Sequence, residues 1–461
     1  MLKIAGVILM TPKEILFATF RREAVPSMAW VPFAGVHAGK LTGTDADVLL
    51  TDADALLSAL LKVNELYRPS GQPVLFDLQI EAECLGCDLV WAKNGPPSVS
   101  SHPLEDDMSI PCVCTIPTEK SGRIPMALDV MRRMKKAVGE TTALYGLICG
   151  PFTLASHLRG NDIFMDMYDD EEYCQNLLAF CNKVAMRMAD LYVEAGMDVI
   201  AVVDPMISQI SVSHFEQFMT EPFTALFDHI RKLGALSAFF VCGDATRNIE
   251  SMCKTRPDSI SIDENVNLAA AKAITDRYGI AIGGNIPLTT VLLHGNQQDV
   301  MKCVVDLLDS VEDRTGLIVA PGCDMPYDVP VENGIAVSHA VLHEAEAREM
   351  LKNYVAVTDD IEIELPDYAH LSKPLVEVFT LDSATCAACG YMMGAANRAK
   401  ADFGDRIDLV EYKFTEKDNI ARCKKMGVPN LPSLYINGVL KYRSLVPSRK
   451  ELTEAIEEAM K

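Results

Sequence analysis

The sequence predicts an α/β protein built from a barrel of eight parallel strands and a second, smaller α/β domain. Between about residues 70 and 350, short apolar runs alternate with amphipathic stretches, which is the pattern of a parallel sheet covered by helices. Seven or eight such units in roughly 350 residues favour a closed barrel over an open sheet. The stretch 355–371 is acidic and contains Pro366, which is typical of a linker. We therefore predict domains at 1–354 and 372–461.

The strands of the barrel are predicted from its apolar runs, and the helices from stretches such as 172–195 and 214–233. The runs lie at residues 28–33, 73–77, 143–149, 199–204, 236–242, 259–263, 280–285 and 316–323. Several end on polar or thiol-bearing residues, namely Asp77, Asp204, Cys242, Asp263, Asn285 and Cys323. Such residues at the carboxyl ends of barrel strands line the mouth where barrels do chemistry.

Composition limits the partners. The chain has 461 residues, a net charge of −22 and a pI near 4.8, which argues against nucleic acid or an anionic membrane as a partner. No segment has the roughly 18 uninterrupted apolar residues of a membrane span. Fourteen cysteines without an export signal fit reduced thiols, so we expect a cytoplasmic protein.

Two cysteines are the strongest chemical signal in the barrel. Cys242 and Cys323 each end an apolar run, so both are expected at the mouth, where they would form a metal or thiolate site. A strand places residues i and i+2 on the same side, which makes residue 240 the natural third ligand. That residue is Phe240, which cannot bind a metal.

The second domain carries a dithiol motif. Cys386 and Cys389 form Cys-x-x-Cys between a predicted strand and a helix, and a helix N-terminus stabilises a thiolate. Pro432 immediately precedes another predicted strand, and the order of elements over 372–461 is β-α-β-α-β-β-α. This domain resembles the thioredoxin/glutaredoxin family. The resemblance implies that Cys386 is the attacking thiol, Cys389 the resolving thiol and Pro432 a cis-proline beside them; the alternative is an adaptor that no longer turns over.

Several short motifs follow one another along the first domain. These are Met10-Thr11-Pro12-Lys13-Glu14, Phe76-Asp77-Leu78-Gln79-Ile80-Glu81-Ala82-Glu83, Gly95-Pro96-Pro97-Ser98-Val99, Gly150-Pro151-Phe152-Thr153-Leu154-Ala155, Asp204-Pro205, Gly284-Asn285-Ile286-Pro287, Pro321-Gly322-Cys323 and Pro330-Val331-Glu332-Asn333. In the order of these motifs, the first domain resembles the uroporphyrinogen decarboxylase superfamily over residues 10–348, which implies a (β/α)8 TIM barrel.

One branch of this superfamily decarboxylates tetrapyrroles. Its members grip propionates with an Arg-Gln-Ala-Gly-Arg loop, for which the bidentate arginine fork is suited. The matching stretch here runs from Val36 through His37 to Lys40 and lacks both arginines. Asp77 aligns with an aspartate that contacts pyrrole nitrogens in that branch. A decarboxylase of a porphyrin-like substrate is therefore an alternative that the missing arginines disfavour.

The other branch comprises corrinoid methyltransferases of the methylcobamide:coenzyme M type. They bind zinc through His-x-Cys on one strand and a cysteine on a later one, and Cys242 and Cys323 match these cysteines. Phe240 replaces the histidine, so either zinc is lost or a third ligand comes from elsewhere. The candidates for that ligand are His37, Glu81, Asp204 and Asp263.

We therefore predict a methyltransferase that moves a methyl group between a corrinoid and a thiol or small methyl donor. Cys242 and Cys323 are the predicted zinc ligands, while Asp77, Asp204, Asp263 and Asn285 are predicted to bind the methylcobalamin substrate. The chain lacks an Asp-x-His-x-x-Gly cobalamin segment, so a separate corrinoid protein is the expected partner. A further alternative is a non-catalytic barrel that serves a thiol–disulfide relay.

Two other cysteine pairs, Cys84/Cys87 and Cys112/Cys114, have no partners at zinc-finger spacing. We interpret both pairs as core or bystander residues.

Overall fold

The structure is a computed structural model that describes residues 3–4, 7–8, 10–355, 361–384 and 386–461. It divides into two units, a first one that holds the barrel residues up to 355 and a second one that holds residues 361–461 apart from the undescribed residue 385. In the part of the chain that is described, we find no helix with the length and apolarity needed to cross a bilayer.

The first unit contains the predicted barrel. Its eight strands are all parallel and follow the order β1-β8-β7-β6-β5-β4-β3-β2 around the sheet. Numbered along the chain they are β1 (Ala29–Trp30), β2 (Gly71–Leu75), β3 (Ala143–Cys149), β4 (Val199–Val203), β5 (Leu236–Val241), β6 (Ser259–Ile262), β7 (Ala281–Ile286) and β8 (Leu317–Pro321). The prediction of a TIM barrel is confirmed.

The two ends of this sheet meet through Ser70, the residue just before β2. The Ser70 N–H donates to the Trp30 carbonyl oxygen at 2.8 Å, and the Trp30 N–H donates to Ser70 Oγ at 3.2 Å. A side-chain oxygen therefore replaces one backbone acceptor between β1 and β2. The sheet closes without leaving the Trp30 amide unpaired.

Helices cover the outside of the barrel and fill its connections. Several begin at capping side chains: Thr11 and Asn296 form capping boxes, and Asp52 and Asn267 accept backbone N–H groups of the first turn. The helices are Pro12–Phe20, His37–Lys40, Ala46–Leu49, Ala53–Tyr67, Ile80–Cys84, Ile124–Val138, Pro151–Arg159, Ile163–Asp169, Glu171–Glu194, Val212–His214, Thr220–Lys232, Ile249–Lys254, Leu268–Tyr278, Gln297–Asp309, Val331–Leu342 and Glu344–Met350.

Two neighbouring residues on β5 pack in different places, one inside the barrel and one between the barrel and its helices. Phe240 faces the barrel interior, where its ring centroid lies 4.6 Å from that of Phe33 and 6.0 Å from that of Phe76. Phe239 faces the helices and packs against Phe223 and Phe227, at 4.4 and 5.3 Å between centroids. The alternation of a strand places these two rings on opposite sides of the sheet.

The second unit is a four-stranded mixed sheet with helices on both faces. Its strands are β9 (Leu375–Thr380), β10 (Asp408–Lys413), β11 (Ser433–Ile436) and β12 (Val439–Arg443), in the order β10-β9-β11-β12. Only β9 and β10 are parallel. Apolar residues of Ala387–Phe403 and Arg449–Ala459 form one core with the sheet, and Cys423 of Lys417–Met426 belongs to the other.

Part of the predicted linker folds onto this second unit. The Tyr368 hydroxyl donates to Glu377 Oε1 at 2.9 Å, and Lys425 Nζ donates to the Ile363 carbonyl oxygen. Residues 356–360 of the predicted linker lie outside the described part of the chain.

Phe239 offers a test of the packing between the barrel and its helices. Replacing it with alanine should lower the free energy of unfolding of the first unit by about 3–5 kcal/mol, because a fully buried ring leaves a cavity. Both tryptophans, Trp30 and Trp91, lie in the first unit, so denaturant unfolding followed by tryptophan fluorescence reports that unit. Tyr168→Ala is the control, because Tyr168 is 68% exposed and its removal should change the value by less than about 0.5 kcal/mol. Equal losses in the two variants would contradict the packing described here.

Candidate active site

The mouth of the barrel brings the two predicted cysteines together. Cys242 directly follows β5 and Cys323 lies two residues after β8, and the structure joins them in a disulfide with Cα atoms 5.7 Å apart. Both residues are half-buried and in reach of solvent. Because β6 and β7 separate β5 from β8 in the sheet, only the curvature of the barrel allows this contact.

A buried carboxylate shapes the turn that carries Cys242. Asp263 Oδ2 accepts the Gly243 N–H at 2.8 Å, and Oδ1 accepts the Asn265 N–H at 2.9 Å. Asn285 Nδ2 in turn donates to the backbone oxygens of Asp263 and Val266, at 2.9 and 2.7 Å. Asp263 and Asn285, predicted to bind the corrinoid, thus have internal partners that position Cys242.

Asp324, the residue after Cys323, likewise holds backbone on the opposite side of the mouth. Asp324 Oδ1 accepts the Gly35 N–H at 2.8 Å, which ties the loop after β1 to the end of β8. Burial raises the pKa of Asp324 to about 8. A side chain at position 35 would place its Cβ 2.6 Å from Asp324 Oδ1, so this approach requires glycine. Asp77 was selected from sequence because it is a polar residue at the end of a predicted strand. Asp324 directly follows another such end, so the same reasoning could have selected it, but the sequence analysis missed it.

Asp204, at the end of β4, is also held internally. Its carboxylate accepts the backbone N–H groups of Phe152 and Thr153 at 2.9 and 3.0 Å and the Thr153 hydroxyl at 2.6 Å. Burial raises its pKa to about 7, and it has no exposed surface. These bonds cap the helix that starts at Pro151, so Asp204 fixes a mouth helix and lacks free oxygens for a ligand.

Asp77 is paired with an arginine that the sequence analysis missed. Arg123 Nη1 donates to Asp77 Oδ2 at 2.5 Å, and the Gln79 N–H donates to Oδ1 at 2.9 Å. Arg123 Nε also donates to Glu83 at 2.7 Å, while its guanidinium lies 4.9 Å from the Trp91 ring centroid. Arg123 lies 46 residues from Asp77 in the sequence, and no local pattern connects them.

The remaining candidates for a third zinc ligand, Glu81 and His37, are fully buried and have hydrogen-bond partners inside the protein. Glu81 Oε1 accepts the Cys149 N–H at 2.9 Å, and burial raises the Glu81 pKa to about 8. The His37 ring lies between the Tyr67 hydroxyl, 2.7 Å from Nε2, and the Tyr327 carbonyl oxygen, 3.2 Å from Nδ1. Because a carbonyl only accepts, Nδ1 carries the proton and Nε2 accepts from Tyr67. Burial lowers the His37 pKa to about 4, so this ring is neutral.

These contacts decide how well the mouth fits zinc. Among the described residues, no three His, Cys, Asp or Glu side chains are grouped closely enough to hold a metal ion. Phe240 fills the interior next to Cys242 with an aromatic ring. Two thiols without a third protein ligand do not make a catalytic zinc site. In the described residues, none of His37, Glu81, Asp204 and Asp263 is grouped with both cysteines, so the mouth does not fit a catalytic zinc ion.

The second unit holds its two cysteines at the start of a helix. Cys386 is the N-cap of Ala387–Phe403, and Cys389, in its first turn, is buried and accepts the Leu381 N–H at 3.2 Å. Burial and a hydrogen bond with Cys386 raise the pKa of the Cys389 thiol. The Leu431–Pro432 peptide bond is cis. Cys386 is the more accessible thiol of the pair, since it is half-buried.

Comparison with known proteins matches this barrel to one family. The model of the uroporphyrinogen decarboxylase (URO-D) family aligns with residues 11–343. The chain belongs to the URO-D family. Membership leaves the reaction open, because the relatives in this family carry the names of different enzymes.

Two relatives illustrate the range of enzyme names in this family. Methylcobamide:CoM methyltransferase MtbA from Methanosarcina acetivorans is 27% identical over 332 residues, which span 70% of this chain and 95% of that protein. Uroporphyrinogen decarboxylase from Anaeromyxobacter dehalogenans is 25% identical over 281 residues, which span 58% of this chain and 79% of that protein. A solved structure described as a methyltransferase from Methanosarcina mazei superposes with a TM-score of 0.66 at 22% identity, covering 75% of this chain and all of that one, and it supports the fold alone.

Phe240→His tests the explanation for the poor fit to zinc. With the mouth thiols reduced, this variant should retain about one zinc per chain after dialysis, because it restores a three-ligand site. Wild type should retain far less. Zinc can be measured by elemental mass spectrometry, with folding checked by tryptophan fluorescence.

Two controls accompany that experiment. Phe240→Leu removes the ring without supplying a ligand, and Phe240→His combined with Cys242→Ser removes one of the three ligands, so neither should gain zinc. Stoichiometric zinc in wild type that disappears in Cys323→Ser would contradict the conclusion drawn from the geometry.

Proposed function

We propose that this chain is a methyltransferase that moves a methyl group between a corrinoid and a thiol or small methyl donor at the mouth of the barrel. The observation that carries the proposal is the meeting of Cys242 and Cys323 at that mouth. The resemblance to the methyltransferase branch implies that both residues correspond to the cysteines of that branch. The corrinoid is a substrate here, and we expect a separate protein to present it.

The chemistry requires a soft nucleophile. When a methyl group leaves cobalt as a cation equivalent, both electrons of the Co–C bond remain on the metal, so the acceptor must supply a lone pair. A thiolate supplies it well, and thiolate chemistry depends on the thiol being free. The acceptor in this proposal is a separate thiol, and a reduced mouth thiolate of Cys242 or Cys323 can take its proton. The acceptor sulfur then forms the S–C bond as the Co–C bond breaks, whereas the disulfide has no thiolate to take that proton.

Hydrogen bonds around these thiols hold the loops of the mouth in one arrangement. Asp263 holds the turn after Cys242, and Asp324 holds the loop opposite Cys323. Both carboxylates accept backbone N–H groups, which restrains the strand ends without using the thiols. Methyl transfer benefits from such restraint, because the reacting atoms must align.

The arrangement is poorly suited to a tetrapyrrole decarboxylase. Asp77, which a decarboxylase would direct at pyrrole nitrogens, has both oxygens engaged by Arg123 and Gln79. Lys40, the one cation left in the loop that normally holds carboxylates, is paired with Asp328 at 2.8 Å. The pyrrole nitrogens of a tetrapyrrole would meet an Asp77 that is already hydrogen-bonded, and its carboxylates would meet a Lys40 that is already paired.

We further propose that the second unit is a thioredoxin-like dithiol module that keeps the mouth reduced. In this reaction the Cys386 thiolate attacks one sulfur of the Cys242–Cys323 disulfide, which forms a mixed disulfide and releases one mouth thiolate. Cys389 then attacks the Cys386 sulfur, which releases the second mouth thiol and forms a Cys386–Cys389 disulfide. Two electrons and the thiol protons pass from the module to the mouth. Tethering within one chain raises the effective concentration of the reductant.

Methyl transfer itself is tested with the cysteines of the mouth. Pre-reduced wild type should speed the transfer of methyl from methylcobalamin to a thiol, and Cys323→Ser or Cys242→Ser should slow it at least about 100-fold. Protein held in the disulfide form should be as slow as the variants. Reduction should use a phosphine, because a thiol reductant could itself accept the methyl group.

Cys303→Ser is the matched control, since Cys303 is a half-buried cysteine on the helix Gln297–Asp309 and should be dispensable. The proposal is wrong if reduced wild type and Cys323→Ser transfer methyl at the same rate. An inactive but redox-active protein would favour the alternative of a non-catalytic barrel serving a relay.

The role of the dithiol module is tested with Cys386→Ser. Under a graded challenge with glutathione disulfide, this variant should form the Cys242–Cys323 disulfide at a lower oxidant concentration than wild type. Tryptic peptides 233–247 and 315–348 each carry one cysteine, Cys242 or Cys323, so mass spectrometry follows their cross-link. Cys423→Ser removes a buried cysteine of the same unit and should behave as wild type. Coincident titrations for Cys386→Ser and wild type would rule out protection by the module.

A further inference from the structure

A third pair of cysteines lies on the surface of the first unit, in the segment between β2 and the helix Ile124–Val138. Cys112 and Cys114 are both exposed and flank Val113 in a short turn. Pro111 and Pro117 bracket this turn. The sequence analysis assigned the pair to core or bystander residues, and exposure excludes the first of these.

The turn folds the backbone of Cys114 back onto the thiol of Cys112. The Cys114 N–H donates to Cys112 Sγ at 3.3 Å. The Thr115 N–H and hydroxyl both donate to the Cys112 carbonyl oxygen at 2.8 Å, which closes the turn around the pair. A cross-link between these sulfurs would therefore close within one turn of the chain, without bringing distant segments together.

The environment of this pair differs from that of the other free thiols in the first unit. Burial raises the pKa of each of those thiols, which belong to Cys84, Cys87, Cys149, Cys174, Cys181, Cys253 and Cys303. At Cys112, interaction with the Cys114 side chain and N–H instead lowers the pKa, and interaction with the Cys112 side chain raises the pKa of Cys114. Thiolate character and exposure together determine which cysteine attacks a disulfide.

We propose that Cys112 and Cys114 form a surface dithiol that exchanges reversibly with disulfides, as a site separate from the mouth of the barrel. The Cys112 thiolate attacks one sulfur of an external disulfide, which breaks the S–S bond and releases one thiolate. Cys114 attacks the Cys112 sulfur of the resulting mixed disulfide, which releases the second thiol and leaves a Cys112–Cys114 disulfide. The external disulfide gains two electrons and two protons, and the pair loses them.

The test uses the full-length protein and glutathione buffers of graded redox potential, followed by alkylation of free thiols and digestion with trypsin. Residues 94–120 form one tryptic peptide whose only cysteines are Cys112 and Cys114. With rising glutathione disulfide, this peptide should lose the mass of two hydrogen atoms and both alkylation sites. Returning the protein to reduced glutathione should restore both sites.

Three variants make the result specific. Cys112→Ser and Cys114→Ser should each prevent the internal disulfide and leave a glutathione adduct on the remaining cysteine. Cys386→Ser should oxidise at 94–120 as wild type does, which shows that the pair reacts without the dithiol of the second unit. A wild-type peptide that stays doubly alkylated at every potential, or that forms only glutathione adducts, would overturn the proposal.

Discussion

Closure of the barrel is the constraint on which the rest of the first unit depends. Parallel strands pair only with their neighbours, and β5 and β8 are three positions apart in the sheet, so an open sheet would keep Cys242 and Cys323 apart. The curved sheet directs both strand ends to one mouth and brings their Cα atoms within 5.7 Å. Ser70 completes the circle, since its N–H and hydroxyl satisfy the Trp30 backbone between the first and second strands.

Three aspartates, of which Asp204 and Asp263 are buried and Asp324 is half-buried, hold the loops of the mouth in place. Asp204, Asp263 and Asp324 each accept backbone N–H groups from loops that belong to other strands or helices. Burial disfavours their charged forms, and these hydrogen bonds offset part of that cost. Removing such an acceptor would leave buried N–H groups unpaired, which is expensive. These carboxylates therefore hold the loops of the mouth, where Cys242 and Cys323 also lie.

Phe240 occupies the position at which a third zinc ligand is expected from sequence. A histidine at this position would share a metal with Cys242 and hold both cysteines as thiolates. The phenyl ring instead joins Phe33 and Phe76 in the barrel core and leaves the two sulfurs free to bond to each other. In the proposed function, the dithiol at the start of the helix Ala387–Phe403 is the reductant that reverses that bond.

The sequence by itself determined the fold class, the family and the place of Cys242 and Cys323, because each follows from local patterns. Hydrophobic periodicity reports which face of an element is buried, and strand ends in a barrel share one mouth. The tertiary structure decided the partners. In the folded chain, Asp77 pairs with Arg123, which lies 46 residues away in the sequence. Asp204, Asp263 and Asn285 hydrogen-bond to backbone groups of neighbouring segments, and Cys112 and Cys114 are exposed. Those outcomes depend on how aperiodic loops converge in space, and no local pattern in the chain encodes that convergence.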